Sequence, residues 1–209
     1  MTFLKHALIT VLLAALVALA AGAWIIIGGR FDVAVSAQLP EPVHEAIHQT
    51  RVNAVRRKAR DIPARPADLD DPAALLEAVA GFDAMCADCH HAPGGAPSAL
   101  ARGLNPKPAD LTEAAGKRSL EELFWVTKYG IRMSGMPGWG KTHDDAELWA
   151  LATLITRFPQ LSADAYEQLR SEASEAGVTH HHHDQEIDHE DDHEDDHEDD
   201  HEDNREHHH

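Results

Sequence analysis

Phe82-Asp83-Ala84-Met85-Cys86-Ala87-Asp88-Cys89-His90 contains both cysteines of the 209-residue chain. Within it, Cys86-x-x-Cys89-His90 has the spacing by which a c-type haem is attached to protein. The reason is geometric. Two thiols three residues apart at the end of a helix can each add to one vinyl group of the porphyrin, and the next side chain then offers its imidazole to the iron. A helix does lead into the motif: Leu75, Leu76, Val79, Phe82 and Met85 recur at spacings of three and four and share one face. Three other uses of this spacing fail on context. A thioredoxin-like dithiol needs a strand-helix framework, and no stretch alternates apolar and polar over six residues. A structural zinc site needs two more ligands, and only His91 is near. A plain disulfide leaves His90 without a role.

Downstream, residues 92–118 are rich in Pro, Gly, Ala, Asn and Lys and read as loops. Ser119 with Glu121 and Glu122 opens a short helix whose apolar side is Leu120, Leu123, Phe124 and Val126, and Gly130 ends it. Residues 133–143 form a loop broken by Gly135, Pro137, Gly138 and Gly140. Asp144 or Asp145 then caps a last amphipathic helix, with Leu148, Leu151, Ala152 and Ile155 inward and Trp149 beside them. The pattern predicts an all-α domain of three or four helices whose long connections wrap a bound group.

A haem iron has a second axial position, and its ligand sets the job. Of the four methionines, Met1 starts the chain and Met85 adjoins Cys86. Met133 and Met136 remain. Met136 is the expected ligand because Gly135 and Pro137 hold its backbone extended. Met133 is then a pocket wall or fallback ligand, and His143 is a rival. A His/Met pair favours electron transfer, whereas enzymatic chemistry such as peroxidation needs an open iron position.

At the amino end, Lys5 and His6 precede the 23 residues 7–29, which are uncharged. That length crosses a bilayer as a helix. The alternative is a cleaved signal segment ending at Ala21-Gly22-Ala23 or Val35-Ser36-Ala37, but Trp24-Ile25-Ile26-Ile27 continues the apolar run and favours an anchor. Either way the remainder is exported. Residues 41–60 read as a helix with Val43, Ala46, Ile47, Ala54 and Val55 roughly on one side. Its basic cluster is either a lipid-facing patch or a solvated face.

These residues resemble the class I monohaem c-type cytochromes, and in particular bacterial membrane-anchored ones with an amino-terminal span, a basic linker and a single haem domain. The resemblance rests on the stretch from Phe82 to His90 and on Gly103-Leu104-Asn105-Pro106-Lys107-Pro108-Ala109-Asp110-Leu111. It rests also on Lys128-Tyr129-Gly130-Ile131-Arg132-Met133-Ser134-Gly135-Met136-Pro137 and on the helix over 145–154. It covers 72–170 firmly and 1–71 loosely. It implies thioethers at Cys86 and Cys89, iron bonds from His90 and Met136, and a proline carbonyl, Pro106 or Pro108, accepting the proximal imidazole proton. It also implies that Phe82 meets an aromatic on the last helix, with Trp149 the expected partner. Ala78 and Thr153 depart from the pattern, which more often has a glycine and an aromatic there. The expected organisation is an anchor or signal segment over 1–29, a partly helical basic linker over 30–70 and a haem domain over 71–170, followed by a tail over 171–209 that its polar, repetitive composition makes disordered. The implied place is the cytoplasmic membrane, single-pass, with the haem domain in the periplasm. Lys107, Lys117, Arg118, Lys128, Arg132 and Lys141 fall in segments expected to rim the haem, where they would form a basic docking face for redox partners.

The resemblance does not reach the tail. Residues 180–209 hold 15 of the 36 Asp and Glu, one of the 18 Lys and Arg, and 11 of the 17 His. Of the net charge of −18, about −14 therefore sits in this appendage. So acidic a tail argues against nucleic-acid binding, because phosphates are repelled. His180, His181, His182 and His183 form a run, and His189, His193, His197 and His201 recur every four residues between carboxylates. Imidazoles at i and i+4 meet on one helical face, which suits Zn, Cu, Ni or Co. Two functions follow. One is an electron-transfer protein whose tail binds divalent metal as an accessory. The other is a metal-homeostasis or metal-sensing protein in which the haem is coupled to the tail's metal, where copper, which cycles between oxidation states, would suit best.

Overall fold

The computed structural model describes residues 2–63, 65–66 and 71–179. The tail histidines from His180 onward, and the metal binding expected of them, lie outside the described residues. Among the described residues every regular element is a helix. The long ones are α1 (Thr2–Ile27), α2 (Glu41–Ala59) and α3 (Pro72–Met85). Two short ones follow, α4 (Ala99–Gly103) and α5 (Leu111–Ala114), and then α6 (Leu120–Tyr129), α7 (Asp145–Arg157) and α8 (Ala163–Glu175). Single 3-10 turns occur at Ala115–Lys117, Trp139–Lys141 and Phe158–Gln160.

Helix α1 has 26 residues, a mean hydropathy of 2.5 over its most apolar stretch and no buried side chain. Its length and composition fit a single-pass membrane anchor. It ends at Gly28 and Gly29, and the Arg30 guanidinium folds back 4.1 Å above the Trp24 ring. A Trp and an Arg together are a common boundary pair at a bilayer surface.

The domain is built around α7, whose residues from Leu148 through Ile155 are all buried between α3 and α6. Its start is fixed by a capping box, with Asp144 accepting from the Glu147 N–H and Glu147 from the Asp144 N–H. Ser119 and Glu122 cap α6 in the same way, and Asp71 and Ser162 cap α3 and α8. Each such cap is worth about 1 kcal/mol.

Phe82 on α3 is fully buried, but it does not meet Trp149 as expected. Its ring lies edge-on to Phe158 at 5.0 Å and to Tyr166 at 6.1 Å. Trp149 stacks instead on Phe124 of α6, at 4.0 Å and 12°. The reason is that α7 is buried on opposite sides. Trp149 serves the α6 side, while Phe82 packs where the chain turns past Phe158 into α8. The aromatic contact that Thr153 cannot supply thus comes from later in the chain. Emptying a site like that of Phe82 costs roughly 3–5 kcal/mol.

Helix α8 is an element beyond those the sequence pattern predicts and runs to Glu175, past residue 170, where the haem domain is expected to end. It is locked to α3 by Asp83, which accepts hydrogen bonds from Tyr166 Oη at 2.9 Å and Arg170 Nε at 2.7 Å. Burial, and then the Asp83 charge, push the Tyr166 phenol well above its ordinary range, so it stays a donor. Helix α2 was expected to belong to a connecting segment, yet it packs on α6. Val55 and Ala59 are buried, and Arg56 Nε stands 3.6 Å from the largely buried carboxylate of Glu122. Of the apolar side expected of this helix only Val55 docks, while Val43, Ala46, Ile47 and Ala54 remain exposed. A second tie joins the linker to the domain, where Asn105 Nδ2 donates to the Val35 carbonyl at 2.8 Å.

Candidate haem site

The motif sits at the carboxyl end of α3, where the chain continues as a tight helical turn. The Cys86 N–H donates to the Phe82 carbonyl at 2.8 Å. The Cys89 and His90 N–H groups both donate to the Cys86 carbonyl, at 3.1 and 2.7 Å. This turn carries all three functional side chains, Cys86, Cys89 and His90. Both thiols are free, with no bond between them, and Cys86 is buried. Burial, helped by the neighbouring Cys89 and Asp83, pushes the Cys86 thiol up to about 12. The turn is held from outside by Ser98, whose hydroxyl donates to the Asp88 carbonyl and accepts from the Ala101 N–H, capping α4.

His90 is oriented by one bond. Its Nδ1 lies 2.8 Å from the carbonyl oxygen of Ala109, and because a carbonyl only accepts, Nδ1 carries the proton. Nε2 is therefore the lone-pair nitrogen. Burial holds the imidazole below its usual range, opposed by the Ala109 bond and reinforced by His91, so the neutral ring that a metal requires is favoured. The acceptor is Ala109, not Pro106 or Pro108 as the resemblance implied. Position explains this: Asp110, directly after Ala109, caps α5 by accepting from the Thr112 N–H at 2.9 Å and the Thr112 hydroxyl at 2.6 Å. That cap anchors the backbone directly after the Ala109 carbonyl. Those Thr112 bonds also hold the Asp110 carboxyl below its ordinary range.

The methionine loop is brought to the same place. A Cβ at Gly135 would lie 2.9 Å from a Leu104 methyl, so the 131–137 loop rests on the loop that holds His90. Gly130, at φ +67°, ends α6, and any side chain there would lie 2.7 Å from the Met136 carbonyl. The Ile131 N–H donates to that same carbonyl at 3.2 Å, and the Met136 N–H donates to Ser134 Oγ at 3.2 Å. Met136 is thus half-buried in a braced loop, whereas Met133 is 90% exposed at φ +59°. His143 is buried, with Nδ1 2.8 Å from the Thr142 hydroxyl and its ring edge-on to Trp139. The residues fit a covalent haem: two free thiols on a turn, a neutral imidazole with Nε2 available, and one sheltered thioether in the neighbouring loop.

Residues 73–155 match the family model described as cytochrome c oxidase, cbb3-type, subunit III. That stretch is a c-type cytochrome domain. The match takes in the whole haem motif, Ala109 and the Met136 loop, and it stops inside α7 before α8. No curated protein and no solved structure matches the chain significantly.

The six cations expected to rim the haem divide into two groups. Lys128 Nζ holds both carboxylate oxygens of Asp145, at 2.6 and 2.8 Å; Lys117 and Arg118 stand 3.7 Å from Glu113 and Glu122. Lys107, Arg132 and Lys141 are exposed and form no ion pair with a described residue of the cytochrome.

Proposed function

We propose that this cytochrome is an electron-transfer protein with one covalent haem c, attached at Cys86 and Cys89, ligated by His90 and Met136, and held at the periplasmic face of the cytoplasmic membrane by α1. The haem, when bound, supplies a one-electron couple at its iron. The observation that carries the reading is the His90 Nδ1–H bond to Ala109, which leaves Nε2 as the only ring nitrogen able to bind a metal. The shelter of Met136 beside the exposed Met133 supports a closed iron, which favours electron transfer over enzymatic chemistry. Donor and acceptor proteins would meet the exposed cations Lys107, Arg132 and Lys141 through an acidic face. The tail, with His180, His181, His182, His183, His189, His193, His197 and His201, would hold divalent metal such as Zn, Cu, Ni or Co as an accessory.

The near-infrared band of Met-to-ferric charge transfer tests the ligand set. It is expected in the native protein and in Met133→Ala, and to vanish in Met136→Ala; a band that survives Met136→Ala contradicts the assignment. Replacing Lys107, Arg132 and Lys141 together by Gln is expected to flatten the ionic-strength dependence of electron transfer to an acidic redox partner. An unchanged slope removes the docking face. Calorimetric titration with zinc is expected to show binding that disappears on deleting residues 180–209. It should also weaken as pH falls below about 6.5, where free imidazoles protonate. Binding that outlasts the deletion contradicts the tail's role. Electron-transfer rates that become metal-dependent only with the tail present would favour metal homeostasis over an accessory.

A further inference from the structure

Outside α1, nine large apolar side chains stand exposed among the described residues, and six of them fall between 31 and 47: Phe31, Val33, Val35, Leu39, Val43 and Ile47. Along the chain they run from the end of the apolar helix into α2. The haem domain proper contributes only Leu100, Tyr129 and Met133. Scattered exposed apolar residues need no explanation, but a tract of this kind does.

Helix α2 has two working sides. Val55 and Ala59 dock on α6. At 100° per residue, Val43, Ile47, Ala54 and Lys58 line up along another side, and all four are exposed. Beyond that apolar stripe come Arg57, Lys58 and Arg60, all exposed and none paired with a described residue. Residues 51–60 hold five cations and no acid; along the chain the nearest carboxylates are Asp61 after the helix and Glu41 and Glu45 in its first turns, with Glu45 accepting from Gln49, while across from it Glu122 of α6 faces Arg56. Exposed apolar side chains that lead into unpaired cations suit contact with a bilayer surface, the cations resting on anionic head groups. The surface is within reach. Thirteen residues, 28–40, separate α1 from α2, at most about 45 Å of chain when fully extended. The Asn105 bond to Val35 ties that linker to the loop that fixes His90.

We propose that residues 31–60 form a second membrane contact, in which the Val43–Ile47–Ala54 stripe of α2 and Arg57, Lys58 and Arg60 lie on a bilayer containing anionic lipid. Docked on α6 at its other side, α2 then fixes the orientation of the haem domain over the membrane instead of leaving it on a free tether. The proposal rests on α1 being the anchor, a point that flotation of the full chain with vesicles checks separately: a chain that stays with the soluble fraction fails as an anchored protein, whatever α2 does.

The test uses the full haem-loaded chain in phosphatidylcholine vesicles with and without phosphatidylglycerol, spin-labelled at Ile47→Cys or, for comparison, at Leu100→Cys. In the anionic vesicles, the label at 47 should be several-fold less accessible to a water-soluble nickel relaxant than the label at 100. The protection should be lost in pure phosphatidylcholine and in the R57E/K58E/R60E variant. Equal accessibility at the two positions overturns the proposal, and protection indifferent to lipid charge overturns the anionic assignment. Protection that vanishes on deleting residues 180–209 means that the acidic tail, not lipid, covers this face, and it overturns the proposal as well.

Discussion

The hydrogen bond from His90 Nδ1 to the Ala109 carbonyl is the constraint on which the site depends. It joins the turn after α3 to the loop between the short helices α4 and α5. It fixes the tautomer and points Nε2 away from the protein carbonyl. The loop end is firm because Asp110 caps α5 immediately afterwards, and the loop's other end supports Gly135 through Leu104. One bond therefore relates the imidazole-bearing turn to the thioether-bearing loop, although the two are 46 residues apart in sequence, His90 against Met136.

Behind the site, the packing is arranged to keep α3 still. Phe82 lies one helical turn before Cys86 and is clasped edge-on by Phe158 and Tyr166. Asp83, next in sequence, holds Tyr166 and Arg170. Hydrogen bonds to a charged group are worth roughly 1.5–3 kcal/mol each, and here they reinforce an aromatic contact that excludes water. The helix that presents the thiols is thus fixed by a segment beyond the part of the chain that matches the cytochrome family.

Much of this was legible in the sequence because the signals are local. The motif spacing, the apolar faces of α3, α6 and α7, the Ser119 and Asp144 caps and the Gly130 stop are each decided within a few residues. What was not legible depends on distance. Nothing near Phe82 says whether its ring will meet Trp149 or Phe158, since both follow at helical spacings and only the burial of α7 on opposite sides separates them. The choice of Ala109 over the two prolines depends on where α5 begins, a four-residue helix too short to announce itself by periodicity. Helix α8 did carry a signal, a Ser162 cap followed by Tyr166, Leu169 and Ala173 at spacings of three and four, but it lies at the fading edge of the resemblance. The pairing of Lys128 with Asp145 likewise joins two elements that the sequence keeps apart.

These features describe a redox domain braced at both ends of its chain: by α2 on the membrane side and by α8 before the acidic tail. The central claim is that Cys86, Cys89 and His90 together hold one covalent haem. Intact and peptide mass spectrometry of the protein, made in cells able to attach haem, tests it most directly. The account predicts a single haem added to the peptide that contains residues 86–90, with neither thiol open to alkylation. A chain of bare polypeptide mass with two alkylatable thiols, or with Cys86 joined to Cys89, would contradict it.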